Sequence, residues 1–212
     1  MTDHGVRRPE QQRGQGLVEF TLVLPIILVL VLSVAELGLI FSKMSSLGYG
    51  TREGARTGSA LALGDRALCT TTNRDPSGVD KSLVAAVQRI LKTPDSGIDI
   101  TKIQEIRIFE ATESGAEAGP ANVWTPTLPG TGPDVDPGPG TIRIDFKPPV
   151  LTPWPACDRS NGGTAGYDSL GVTIKYKYEF MTPLASFIDA VSGGALSLTL
   201  TETTVMALNP TI

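Results

Sequence analysis

Residues Phe20–Phe41 read FTLVLPIILVLVLSVAELGLIF, an apolar run interrupted by the single carboxylate of Glu36. At roughly 1.5 Å of rise per residue, a helix of this length crosses a hydrocarbon core of about 30 Å. A cleaved secretory signal has a shorter apolar stretch and a small-residue cleavage site after it, and this sequence has neither. The span is therefore expected to survive in the mature chain. Arg7, Arg8 and Arg13 precede it, while Lys43, Arg52 and Arg56 follow beside Glu53. This modest positive bias favours a cytoplasmic N-terminus, with the bulk of the chain on the far side of the membrane.

Downstream, the long helix is expected to continue as a stalk, giving a transmembrane and stalk segment of residues 15–63 and a separate domain of residues 64–212. Gly50, Gly54 and Gly58 recur every four residues and so share one helical face. Each costs about 1 kcal/mol of helix propensity relative to alanine, which a close backbone approach would offset. Two partners suit that approach, the protein's own sheet or the helix of a neighbouring subunit; a third reading is an early break in the helix. Pro25 has no amide proton and is expected either to open the span locally or to be tolerated there. Glu36 is expected at the interface, or in polar contact with a partner helix or with Lys43.

The domain reads as α+β. Asp80 is placed to cap a short helix running to about Lys92, with Leu83, Val87, Ile90 and Leu91 on its apolar side. Residues 103–110 and 141–146 favour strands, and the intervening GPANVWTPTLPGTGPDVDPGPG is rich enough in proline and glycine to predict a surface loop. Leu170, Val172, Ile174, Tyr176, Tyr178 and Phe180 alternate with Gly171, Thr173, Lys175, Lys177 and Glu179, the pattern of a strand with one buried face. Pro183–Val191 reads as a second short helix, and Leu196, Leu198 and Leu200 open a last strand toward Leu208. An antiparallel sheet packed against the stalk follows. Cys69 and Cys157 match no metal or redox spacing, and with the domain exported they are expected to form a disulfide.

The polar leader ends at Gly14 and is followed by Gln15-Gly16-Leu17-Val18-Glu19-Phe20, which sets a carboxylate at the edge of the apolar helix. Beside lipid such a group costs about 2 to 3 kcal/mol and so needs a partner or an interfacial position. A cut after Gly14 would create an amino group four residues before Glu19, and glycine lets a protease approach the backbone closely.

A glycine, four residues, then Glu-Phe resembles the prepilin peptidase motif of Flp-type prepilins. The longer string GQGLVEFTLVLPIILVLVLSVAELGLIF is similar to the opening of TadE-like proteins, and the resemblance continues through Tyr49, Gly50, Arg52, Glu53, Gly54, Ala55 and Arg56. It implies a pilin-like domain behind the helix and a leader, residues 1–14, removed by prepilin peptidase. It further implies a minor pilin or pseudopilin of a tight-adherence pilus, with other pilin subunits as partners and lipid around residues 17–41 in the cytoplasmic membrane. Gly16 is a rival cleavage point, but it leaves Glu19 too close to the new terminus for the motif. A different class, a permanently anchored extracytoplasmic binding protein outside any filament, fits the same topology.

Other chemistries find little support. His4, the single histidine, lies in the expected leader, so no imidazole is expected for a catalytic triad or a zinc site. Phosphate-loop glycine motifs are missing. Asp134, Asp136 and Asp145 have the flavour of a calcium loop, but Gly138 and Pro139 stand where that motif needs a ligand and a glycine. The net charge of -4 comes from interspersed signs, which argues against nucleic acid. No enzyme activity, metal or cofactor is expected.

Overall fold

The computed structural model describes residues 12–61, 69–75, 78–127, 145–147, 153–162, 166–183 and 197–208. The chain divides into two compact units, one of residues 1–39 and 180–196, the other of residues 40–179 and 197–212. The first α-helix, α1 (Gln12–Leu61), begins in the former and ends in the latter.

In the first unit α1 passes through Pro25 and remains helical on both sides of it. Thr21 and Ser33 turn their hydroxyls back onto the carbonyls of Leu17 and Val29, at 2.7 Å in each case, which satisfies these polar groups within the helix. Almost every side chain from Gln15 to Leu28 is exposed. Beyond that, one face is covered: Val29, Leu32 and Ser33 are half-buried and Glu36 is buried. Those spacings of three and four residues lie along one side of the helix.

The second unit holds the sheet and a second helix, α2 (Val79–Leu91). Val79, Leu83, Val84, Val87 and Leu91 are buried at helical spacing, which gives α2 one apolar stripe. Its start differs from the expected one. Gly78, at φ 59°, takes the left-handed conformation before the first turn, and the Asp75 side chain accepts a hydrogen bond from Val79 N–H at 3.0 Å. Asp80 is not the cap; it is buried within the first turn.

Among the described residues, five antiparallel strands follow, β1 (Ile103–Ala111), β2 (Asn122–Thr127), β3 (Asp145–Lys147), β4 (Ser169–Glu179) and β5 (Ser197–Ala207), in the order β3-β2-β1-β4-β5. β2 corrects the loop reading of residues 119–140 over 122–127, and residues 128–140 lie outside the described residues. Asn122, Val123 and Trp124 pair with β1, and Asn122 and Trp124 are buried. The missing amide of Pro126 falls beyond the β1 pairing, where the strand meets only the short β3, so proline does not interrupt the central ladder. β4 alternates as predicted at its exposed end, but Gly171 and Thr173 are buried as well.

The core of this unit forms where α2 and the outer part of α1 lie on one face of β4. Leu47, Ala55, Leu83, Val87, Leu91, Leu170, Val172 and Ile174 are all buried there. Burying each large aliphatic side chain stabilises by about 1.5–3 kcal/mol relative to exposure. The predicted helix over 183–191 lies outside the described residues beyond Pro183.

Candidate functional site

The segment that carries the processing motif is helical from Gln12 onward, so Gly14 and Gln15 continue directly into the apolar helix. Gln15 and Glu19 stand one turn apart on the exposed surface, and the Gln15 side-chain amide donates to a Glu19 carboxylate oxygen at 3.1 Å. Phe20 follows with its ring exposed. The apolar surface from Leu17 to Leu39 is long and apolar enough, by length and composition, to cross a membrane.

Glu36 is neither exposed nor paired with Lys43. It is only 2% exposed, and its two carboxylate oxygens accept the backbone N–H groups of Met181 at 3.1 Å and Thr182 at 3.0 Å. Lys43 lies elsewhere, donating to the Gly97 carbonyl. The two backbone N–H groups take the place of the water this buried carboxyl group has lost.

Gly50, Gly54 and Gly58 face inward, against α2 and β4. A β-carbon at Gly50 would stand 3.0 Å from Leu91 and 3.4 Å from Ile174; at Gly54, 2.6 Å from Val87; at Gly58, 2.6 Å from Leu83 and 3.0 Å from Leu170. The glycines are the seam on which the domain's own helix and strand sit. Tyr49, Arg52 and Arg56 point the other way and line an open groove of about 480 Å³ together with Glu53, Asp95 and Met206. The arginine-rich stretch thus divides by face, its small residues turned to the core and its large polar ones outward.

A buried polar cluster was invisible to pattern reading. Asp80 pairs with Arg159, both essentially inaccessible, and Asn122 donates to Asp80 at 2.7 Å. The same Asn122 bridges to Trp154 through its backbone in both directions, at 2.7 and 3.0 Å, and the Arg159 guanidinium lies 4.5 Å from the Trp154 ring centre. This cluster ties α2, β2 and the 153–162 segment together. Removing one partner of such a pair leaves an uncompensated charge and typically costs about 3–5 kcal/mol. Burial, and then the neighbouring Asp80 carboxylate, push the Asp75 carboxyl above its ordinary value. The only advance signal was an acidic residue in an otherwise apolar helical stripe.

Beside this cluster a disulfide joins Cys69 to Cys157, with Cα atoms 6.1 Å apart, within the range an unstrained bridge spans. Arg74 pairs with Asp158 and its carbonyl accepts from Cys157 N–H, so the linked segments are also held by hydrogen bonds. Among the described residues no three His, Cys, Asp or Glu side chains gather as a metal site. Asp134 and Asp136 lie outside the described residues.

These features define a class: an α+β protein whose N-terminal helix is long and apolar enough to serve as a single membrane span. Residues 14–56 match the family model for TadE-like proteins. The match begins at Gly14, in the first turn of α1, and ends at Arg56 in its C-terminal part. No curated protein and no solved structure shows a significant match.

Proposed function

We propose that the chain is a minor pilin-like subunit of a tight-adherence pilus, anchored by its N-terminal helix and acting by assembly rather than by turnover. The observation that carries this reading is the coincidence of Gly14, Gln15, Glu19 and Phe20 with the foot of an exposed apolar helix, inside the segment that matches TadE-like proteins. In this reading prepilin peptidase hydrolyses the Gly14–Gln15 bond on the cytoplasmic side of the membrane. The new α-amino group of Gln15 then lies one helical turn from Glu19, and in an assembly the Glu19 carboxylate pairs with the amino terminus of a neighbouring subunit. A charge pair in a low-dielectric setting fixes register, because a shifted subunit would leave the carboxylate unpaired.

The apolar surface of α1 serves two environments in turn. In the cytoplasmic membrane it faces lipid, with the α+β domain on the extracytoplasmic side; on assembly it faces other pilin subunits. The disulfide fits an oxidising compartment. Mass spectrometry of the native N-terminus tests the reading, with a mature chain beginning at Gln15 expected and an intact leader in peptidase-competent cells overturning it. Immunoblots of sheared surface fractions separate a pilus component from a permanently anchored binding protein, which would remain with the cells.

A further inference from the structure

Glu36 lies 19 residues after Leu17, which along a helix is about 28 Å and so near the far edge of a hydrocarbon core that starts at Leu17. Its two partners are fixed in depth by the hydrogen bonds they make. The buried Glu36 carboxyl group is withdrawn from water, and the two backbone N–H groups satisfy it. The covered face of α1 extends further in, through Ser33 and Leu32 to Val29, about 10 Å toward the bilayer centre.

The turn at residues 180–183 is the described part of this unit outside α1. It presents Met181 at 65% exposure and is bonded through its backbone to Glu36, whose neighbours along the helix, Val34 and Leu37, are exposed apolar side chains. The sequence continues from it as Leu184, Phe187, Ile188 and Val191, with Asp189 the one ionisable side chain between Phe180 and Leu196.

We infer that the Phe180–Pro183 turn, latched to Glu36, is a second membrane contact, inserting Met181 at the boundary between acyl chains and headgroups of the outer leaflet. The occupant of this surface is bilayer lipid, because the exposed Met181 side chain continues the apolar belt that the span already presents. The inference rests on the reading of α1 as a membrane span. Its consequence is a domain tethered at two points, the helix and the return of the chain after β4, so that leaving the bilayer requires extracting both.

The test uses full-length protein with its disulfide intact, reconstituted in phosphatidylcholine–phosphatidylglycerol vesicles. A fluorescent NBD label is placed on Met181→Cys, with Val31→Cys in the span and Ser114→Cys in the domain as references. Lipids spin-labelled high on the acyl chain are expected to quench the label at 181, and aqueous iodide is expected to quench the label at 114. Lipid quenching at 31 with iodide quenching at 181 overturns the second contact and leaves the span standing. Failure of lipid quenching at 31 overturns the span itself, and the inference with it. Adding Glu36→Ala to Met181→Cys is expected to abolish most of the lipid quenching at 181 without changing that at 31. Unchanged quenching at 181 in that variant overturns the latch.

Discussion

Phe109 and Gly171 are directly paired across β1 and β4, and the Phe109 ring closes over the glycine so that a β-carbon at 171 would stand 2.3 Å from its Cζ. The ring occupies the space a side chain would take, which is why the second face of β4 is buried at a position where alternation predicts exposure. Gly171→Ala is expected to destabilise the domain by about 1–3 kcal/mol, the usual cost of overpacking a filled site. Urea denaturation of the wild type, the single variants and Gly171→Ala/Phe109→Ala checks this. The two losses should fall short of additive, since removing the ring removes the clash.

The Cys69–Cys157 bridge spans 88 residues. A loop of that length corresponds, in the chain-entropy description, to about 4–5 kcal/mol of constraint on the unfolded chain. Reduction, or replacement of both cysteines by serine, is expected to lower the denaturation midpoint by a corresponding amount. Alkylation of non-reduced protein followed by mass analysis should find no free thiol. Recovery of two alkylated cysteines would refute the bridge in the native protein.

Processing and assembly should separate genetically. Gly14→Ala is expected to block removal of the leader while leaving the chain membrane-bound, because the span is unchanged. Glu19→Gln is expected to be cleaved normally but to fall in sheared pilus fractions, since the amide keeps the shape of the carboxylate and loses its charge. Immunoblot mobility reports the first effect and fractionation the second; full incorporation of Glu19→Gln would remove the proposed pairing.

The Arg107 guanidinium holds Glu117 with two hydrogen bonds of 2.9 Å and lowers its carboxyl below the ordinary value of 4.5, while Glu117 in turn raises Arg107. A lowered folded-state value means the unfolded chain binds the proton more readily. The pair's stabilisation is therefore present above the unfolded value and lost as pH falls through the folded one. The pair is partly exposed, so the effect on stability is small. NMR titration of the Glu117 side chain is expected to show a midpoint below 4.5 that returns toward it in Arg107→Ala.

Sequence by itself determined the elements whose signal is local. The apolar length of Phe20–Phe41, the alternation from Leu170 and the helical spacing of Leu83, Val87 and Leu91 each depend on neighbours a few residues apart, and each is found where periodicity puts it. Tertiary structure alone decided the partners. Glu36 meets amides at Met181 and Thr182, Asp80 meets Arg159 and Asn122, and the Gly50-Gly54-Gly58 face meets α2 and β4. β2 formed in a proline-bearing stretch because its pairing with β1 and the burial of Trp124 outweigh local turn propensity. The reason is the same in each case: a buried polar group or a bare backbone face is stable only beside its complement, and the chain brings that complement from far along the sequence.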